Sequence, residues 1–372
     1  MKQKRPPGVC RCGHDHEAHD HYRPGNECAL CECKGWNPPH GLWRRLRLGS
    51  RKSAALPRPA PRSQTPGGIP AQRLQISHDR CTGPGEVLSA GSSGPGGEAP
   101  AAADGPRRIV VAGDWHGNEE WAVSVIRRVP TLLAGQSHRI ILHLGDFGIW
   151  PDQAGLVYLE QVSKVLAEVD AELWFVDGNH EDFSRLDQLD RKPGPEGRVV
   201  VAPRIMHLPR GYRWNWHGLS WLACGGGVSL DRAVRTEGVD WWPQEEITTE
   251  QEIAISASGH ADVMVCHDCP SGVAHTFAHP PAEWAPEDLA RNDAHRRRLQ
   301  RIVDAVMPTY LMHGHLHRAY QRTCDFGYGP VRVTGLDADN RLRNFAALDV
   351  ATMRWDVRPN WFSRFRRGPL VG

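Results

Sequence analysis

RRIVVAGDWHGN, residues 107–118, decides the fold because it joins a buried-strand pattern to two polar side chains. The apolar, β-branched run at 109–111 predicts a strand that ends at Ala112 and Gly113. Asp114 and His116 follow two positions apart, so in extended backbone they face the same way and can reach one cation. Taken alone, the stretch fits a strand that ends in a polar turn equally well.

The same arrangement, an apolar run that ends in a metal-ligating side chain, recurs four times along the chain. The runs occupy residues 139–148, 171–182, 261–270 and 308–320. In an α/β sheet such strand ends gather at one edge, where ligands bind. Five occurrences therefore predict one metal site. Its candidates, beside Asp114 and His116, are Asp146, Asn179, His180, His267, His315 and His317.

Length and composition predict a folded core with extensions. The chain has 372 residues, of which 40% are hydrophobic and 24% charged. Residues 1–108 carry 17 Lys and Arg against 9 Asp and Glu, and the remainder is net acidic. The basic front leaves nucleic acid open as a partner, although a solvated basic extension is the simpler interpretation.

The sequence gives no signal for a membrane or for secretion. No apolar run approaches the roughly 18 residues of a membrane span. Lys2, Lys4 and Arg5 are not followed by the apolar stretch of a secretory signal. We therefore expect a cytoplasmic protein without a membrane partner, and the oligomeric state stays open.

Residues 8–40 are rich in Cys and His and nearly free of apolar side chains. The pattern C-x-C-G-H followed by C-x-x-C-x-C suits one tetrahedral structural zinc, which would have to supply the folding free energy of the segment. The alternative is a flexible His-rich tail that takes up metal adventitiously. The candidate ligands outnumber one site and include Cys10, Cys12, Cys28, Cys31, Cys33 and His14.

Composition and periodicity divide the chain into four parts. These are a Cys/His-rich segment with a basic stretch (1–49), a disordered linker rich in Pro, Gly, Ala and Ser (50–106), a folded domain (107–360) and a basic aromatic tail (361–372).

Within the domain, helices are predicted at 118–128, 152–170 and 285–306, and hairpin-like strands at 198–227. Alternation of the first strands with helices predicts parallel pairing. In the second helix, one buried face is predicted from Leu156, Leu159, Val162, Leu166 and Val169.

The order GDWH, GD, GNHE, a lone strand-end His and GHLH resembles the calcineurin-like metallophosphoesterase superfamily, in its bacterial and phage-type forms, over residues 107–359. The resemblance implies an α/β fold in which a two-sheet β-sandwich is flanked by helices, in four α/β/β/α layers. A two-metal centre is implied above the strand ends. The N-terminal segment resembles short Cys/His zinc knuckles only loosely.

The resemblance also implies roles for the candidate residues. One metal would be held by Asp114, His116 and His317, and the other by Asn179, His267 and His315, with Asp146 bridging both. Oxygen and imidazole ligands suit Mn, Fe or Zn. The implied activity is hydrolysis of a phosphomonoester or phosphodiester by a metal-bridging hydroxide. His180 would be the catalytic residue that protonates the leaving group or stabilises phosphate oxygens.

Residues 225–246 are the candidate substrate loop. Arg232 and Arg235 could bind a phosphate, and Trp241 could stack on a base or form the wall of a lid. The alternative is a loop whose Trp pair packs on its own domain. Two other functions stay open at this point: a nuclease or nucleotide phosphodiesterase guided by the zinc segment, and a non-hydrolytic binding or adaptor protein.

Overall fold

Two seven-stranded sheets form the framework of this protein. The computed structural model describes residues 81–82, 105–190, 197–273 and 284–356. The predicted zinc segment, nearly all of the predicted linker and the tail at 361–372 lie outside the described residues. In chain order the strands are β1 (Cys81–Thr82), β2 (Arg108–Ala112), β3 (Arg139–His143), β4 (Ala171–Phe175), β5 (Val199–Ala202), β6 (Ile205–His207), β7 (Arg213–Trp216), β8 (Leu219–Cys224), β9 (Val263–Cys266), β10 (Tyr310–His313), β11 (Tyr320–Asp325), β12 (Pro330–Gly335), β13 (Phe345–Asp349) and β14 (Arg354–Asp356).

Sheet 1 has the strand order β14-β13-β2-β3-β4-β6-β5. Its centre is parallel, because β2 pairs with β3, β3 with β4 and β4 with β6 in the same direction. This confirms the parallel pairing predicted from the strand–helix alternation. β13 closes the other side of β2 by antiparallel pairing of Phe345–Asp349 with Arg108–Ala112.

Sheet 2 has the strand order β1-β11-β12-β10-β9-β8-β7. β8, β9, β10 and β12 run parallel to one another. The hairpin-like region is confirmed as two antiparallel pairs, β5 with β6 and β7 with β8. The short β1, which lies in the range predicted as linker, pairs antiparallel with β11 at the sheet edge.

Six α-helices accompany the sheets in the described part of the chain, and three of them were predicted. α1 begins after Asn118, whose side chain accepts the N–H of Trp121. α5 begins with a capping box between Thr248 and Gln251. The helices are α1 (Glu119–Ile126), α2 (Val129–Leu132), α3 (Gln153–Glu168), α4 (Phe183–Asp190), α5 (Thr249–Ser256) and α6 (Pro286–Val306).

The predicted buried face of α3 is correct at Leu159, Val162 and Leu166 and wrong at Leu156, which is 47% exposed. At about 100° per residue, Leu156 points well to one side of the stripe formed by the other three. Val169 lies just beyond the helix end and is only partly buried.

Three apolar layers hold the described elements together and confirm the four-layer α/β/β/α expectation. Strand residues alternate between faces, so Val110 and Ile141 face α1 and α3, whereas Ile109 and Ile140 lie between the sheets. On the far side of sheet 2, α5 and α6 cover a third cluster that includes Met264. None of the helices in the described ranges has the length and apolarity that crossing a membrane requires.

Candidate metal centre

The two sheets bring together the seven predicted ligands and His180. Sheet 1 supplies the turns after β2, β3 and β4, and sheet 2 supplies the turns after β9 and β10. Three groups have ligand atoms that all lie within 4.8 Å of one another. The groups are Asp114 with His116 and His317, His116 with Asp146 and His180, and Asp114 with Asp146 and His267.

The backbone at the site is strained. His116, Asp146, His315 and His317 have φ values between 47° and 61°, in the left-handed region that side chains other than glycine rarely adopt. Just before Asp146, Gly145 has a φ of 93°, and a Cβ there would lie 2.4 Å from Nδ1 of His267. The tight strand-end turns therefore need glycine beside the functional residue, and the strain concentrates where the candidate ligands lie.

Asp146 lies at the centre of the cluster. Its Oδ2 is 3.4 Å from Nε2 of His116 and 3.8 Å from Nε2 of His180, and its Oδ1 is 3.5 Å from Nε2 of His267. The backbone N–H of His180 donates to Oδ1 at 2.9 Å. Burial would raise the pKa of Asp146, but positive charge on His267, His180 and His116 holds it well below its usual range. A carboxylate with one oxygen toward each group of histidines can bridge two cations.

Asp114 is fully buried on the other side of the cluster. Its Oδ2 lies 3.0 Å from Nε2 of His317, and both oxygens accept the backbone N–H of His315 at 3.1 Å. Burial raises the pKa of Asp114, and the contacts with His317 and His267 more than offset this and lower it. The carboxylate is thus ionised and fixed against the turn that follows β10.

His267 gives a direct test of whether a cation fits. Its Nδ1 donates to the carbonyl of Leu144 at 2.8 Å, so Nε2 faces Oδ1 of Asn179 at 3.0 Å. In the neutral imidazole, Nε2 is an acceptor, as is the amide oxygen. Two acceptors at this distance repel unless a proton or a metal ion lies between them. The donor set, imidazole nitrogen with carboxylate and amide oxygens, suits Mn, Fe or Zn.

The pKa values of two other histidines, His315 and His116, are shifted in opposite directions. Burial lowers the pKa of His315 to about 4, so its ring is neutral and keeps a lone pair near neutral pH. Burial also lowers that of His116, but hydrogen bonds to Asp146 and Asp339 more than offset this and raise it to about 10. Without metal the acidic side chains retain protons on neighbouring histidines. Bound divalent ions would supply the same charge.

Sequence reasoning missed Asp339, which lies in the β12–β13 connection. Its Oδ1 is 3.2 Å from Nδ1 of His116, and its Oδ2 accepts from Asn118. A carboxylate at Nδ1 turns Nε2 of His116 toward Asp146 and fixes the tautomer. The local sequence D-A-D-N contained only an acidic turn as a signal.

Glu181, just after the candidate catalytic His180, holds the turn that carries Asp146. Its buried carboxyl accepts three backbone N–H groups, from Phe147 at 2.7 Å, Gly148 at 3.1 Å and Ile149 at 2.7 Å. The motif signalled a polar residue here without indicating these contacts. The segment directly after Asp146 is thereby fixed.

The predicted substrate residues are engaged within the protein. Arg235 forks onto Asp231 at 2.8 and 2.7 Å, and Nε of Arg232 donates to Asp288 at 2.7 Å. Trp241 is 8% exposed, with the guanidinium groups of Arg232 and Arg291 about 5.5 Å from its ring. A role of these residues in substrate binding stays a prediction.

Comparison with known proteins identifies the domain. The family model for calcineurin-like phosphoesterases matches residues 107–319, and no curated protein matches the chain. Among solved structures, the protein TT1561 of Thermus thermophilus is 13% identical, with 68% of this chain and 98% of that chain covered and a TM-score of 0.42. A second solved structure is 11% identical with the same coverage and TM-score. At this level of similarity the two structures carry no argument about activity.

Proposed function

This chain belongs to the calcineurin-like phosphoesterase family, and from that premise we propose that it hydrolyses a phosphomonoester or phosphodiester with two divalent metal ions. The coarser conclusion, a metal-dependent phosphoesterase, follows from the family and from the His/Asp cluster. The finer proposal rests on one observation. The two oxygens of the Asp146 carboxylate face different histidines, with His116 and His180 near one and His267 near the other.

We assign the seven ligands to two ions of Mn, Fe or Zn. Asp114, His116 and His317 would hold one ion, Asn179, His267 and His315 would hold the other, and Asp146 would contribute to both. This assignment is supported by the 3.0 Å approach of Nε2 of His267 to the amide oxygen of Asn179, two atoms that one ion could join, and by the 3.0 Å contact between Asp114 and His317. When bound, the two ions supply Lewis acidity toward phosphate oxygens and acidify water at neutral pH.

The residues of the chain orient the reaction. Asp339 and the Leu144 carbonyl set the ring orientations of His116 and His267, so the site is organised before substrate arrives. His180 is only slightly exposed, with its ring centroid 5.6 Å from that of His116. From this position we propose that His180 binds a phosphate oxygen or donates its Nε2 proton to the leaving oxygen.

The experiment uses the full chain, stripped of metal and reloaded with Mn²⁺, on a chromogenic phosphate monoester and a chromogenic diester. Asp146→Asn should lower turnover at least about a thousandfold, because two-ion stabilisation of the transition state contributes several kcal/mol. Asp170→Asn, an exposed carboxylate paired with Arg204, is the matched control and should retain activity. Turnover without metal, or full turnover in Asp146→Asn, would contradict the proposal.

The role of His180 is tested with esters whose leaving groups differ in basicity. If His180 protonates the leaving oxygen, His180→Asn should slow alkyl esters much more than nitrophenyl esters, because only the alkoxide needs a proton. An equal loss with both esters would assign His180 to phosphate binding instead.

A further inference from the structure

The glycine-rich loop at residues 225–246 contacts the metal centre directly. A Cβ on Gly227 would lie 3.0 Å from Cδ2 of His267 and 3.2 Å from Oδ1 of Asn179. The backbone N–H of Gly227 donates to the carbonyl of Glu245 at 3.0 Å, and that of Gly226 to the carbonyl of Asp177 at 2.8 Å. The loop thus lies against the two candidate ligands that face each other most closely.

A chain of buried hydrogen bonds runs from this loop to Asn179. Oε1 of Glu245 accepts the backbone N–H of Ser229 at 3.0 Å, and Oε2 accepts its hydroxyl at 2.6 Å. The hydroxyl oxygen of Ser229 in turn accepts Nδ2 of Asn179 at 3.1 Å. All three side chains are at most 3% exposed, so water does not compete for these bonds.

The direction of these bonds matters because an amide has two ends of similar shape and opposite polarity. An ionised carboxylate only accepts, so the single proton of the Ser229 hydroxyl points to Glu245. The Ser229 oxygen is then left to accept a hydrogen bond from Asn179. This bond turns the amide NH2 group toward Ser229 and the carbonyl oxygen toward His267. Only the carbonyl end of the amide can ligate a metal.

We propose that Glu245 is a positioning residue which, through Ser229, holds the Asn179 amide with its carbonyl oxygen toward the metal centre. The inference rests on the proposed two-metal function and adds to it the role of the loop. It places the control of one ligand in a carboxyl group that is 66 positions further along the chain and does not touch the metal centre.

Arg210 fixes the loop to the turn that carries Asn179. Its guanidinium donates to Asp177 at 2.9 and 2.6 Å and to the carbonyls of Gln244, Glu245 and Glu246 at 2.7 to 2.9 Å. Asp177 lies two residues before Asn179, so one guanidinium joins the turn that carries Asn179 to the backbone at Glu245. The orientation of the Ser229 bridge is therefore held at both ends.

The test is calorimetric binding of Mn²⁺ to the full chain at pH 8.5. Burial raises the pKa of Glu245 to about 7, and this pH keeps the carboxyl ionised. Ser229→Ala removes the acceptor for the Asn179 amine. Glu245→Gln, nearly the same shape, lets an amide donate to Ser229 and sends the hydroxyl proton toward Asn179. Each variant should bind one of the two ions about 10- to 100-fold more weakly and leave the other unchanged.

The chain offers a closely matched control in Ser220. Its backbone N–H and its hydroxyl both donate to Oδ2 of Asp262, at 2.8 and 2.6 Å, whereas those of Ser229 donate to the two different oxygens of Glu245. Ser220 lies near the start of β8, whereas the loop at 225–246 follows the end of that strand. Ser220→Ala should bind both ions as the wild type does. Unfolding of the metal-free variants checks that each is folded.

Repeating the measurement in an Asn179→Asp variant separates loss of the Asn179 orientation from a general disturbance of the site. In Asn179→Asp both ends of the side chain are acceptors, so its orientation no longer matters, and adding Ser229→Ala should weaken Mn²⁺ no further. Unchanged binding of both ions in Ser229→Ala and Glu245→Gln would overturn the inference, as would an equal loss in the Asn179→Asp background. If the wild type binds only one ion, the proposed two-metal function is contradicted but the positioning role of Glu245 is not. That role is then tested by whether Ser229→Ala weakens the binding of the single ion.

Discussion

Asp146 and Asp177 are buried carboxylates that follow neighbouring strands, β3 and β4, yet the protein treats them differently. Asp177 has its own permanent cation, since Arg210 forks onto it, and His207 adds a third contact at 3.1 Å. Among the described residues, the ion pairs of Asp146 are all with histidines. Arginine stays charged, whereas a histidine can lose its proton and become a metal ligand.

The type of cationic partner, arginine or histidine, distinguishes a structural carboxylate such as Asp177 from one at a cation site such as Asp146. Burial raises the pKa of Asp177, and the charge of Arg210 together with contacts from His207 lowers it well below its usual range. Asp146 has a similarly lowered pKa, but only while protons occupy its histidines. The first carboxylate is neutralised by the fold, and the second needs charge from outside the chain.

The largest expected effect breaks the Asp177 side of this comparison. Arg210→Met removes the cation and leaves a buried carboxylate uncompensated, which should lower the free energy of unfolding by about 3–5 kcal/mol. Chemical denaturation of the metal-free protein measures it. Arg204→Met is the control, because its pair with Asp170 is largely exposed and such pairs contribute about 0–1 kcal/mol. A loss for Arg210→Met no larger than the control's would remove the distinction.

A somewhat smaller effect tests the Asp146 side. Mn²⁺ at about twenty times its dissociation constant should stabilise the wild type by about 1.8 kcal/mol per site, or about 3.6 kcal/mol for the two proposed sites, because only the folded chain holds the ligands together. Asp146→Asn should lose most of this gain, and Arg204→Met should keep it. The measurement is the shift of the thermal or chemical unfolding transition on adding Mn²⁺. A wild type that is insensitive to Mn²⁺ would show that Asp146 is not awaiting a cation.

The smallest effect comes from Glu245. Its carboxylate is intermediate between Asp177 and Asp146, because it pairs with an arginine, Arg291, but at a distance of 3.5 Å. Burial raises its pKa from 4.5 to about 7, so the folded chain keeps a proton that the unfolded chain has released. The resulting stability is complete below pH 4.5 and is lost as the pH rises through 7, a change on the order of 3 kcal/mol.

This pH dependence is measured as the difference in unfolding free energy between the wild type and Glu245→Gln in a chelator. The difference should fall between pH 4.5 and 7 and then level off. Glu119→Gln is the control for removing a carboxylate from an exposed position. A flat difference for Glu245→Gln would mean that the carboxyl titrates as it does in water.

The sequence could predict what is local in this molecule. Asp114, Asp146 and His267 each follow an apolar run directly, so the strand pattern and the ligand type are read within a few residues. The helices α1, α3 and α6 have the same kind of local signal. The two-sheet arrangement came from the family resemblance, since periodicity does not show which strands become neighbours.

What the sequence could not predict depends on distant partners. Asp339 meets His116 across 223 positions, and Arg210 meets Asp177 across 33. An acidic residue in a polar loop looks the same in sequence whether water or an imidazole ring surrounds it. The prediction that Leu156 is buried was wrong for a related reason. The spacing of apolar residues alone did not show where the buried stripe on α3 is centred.

The pairing of β2 with β13 has a consequence for the synthesis of this protein. β2 leads directly into the first two candidate ligands, and in the described part of the chain one of its edges is paired with residues 345–349, which are made more than 200 residues later. At roughly 5–20 residues per second, an apolar strand edge is left open on the ribosome for ten seconds or longer. Such an edge is a template for pairing with another chain. Nascent chains of this protein are therefore expected to depend on chaperones until β13 emerges.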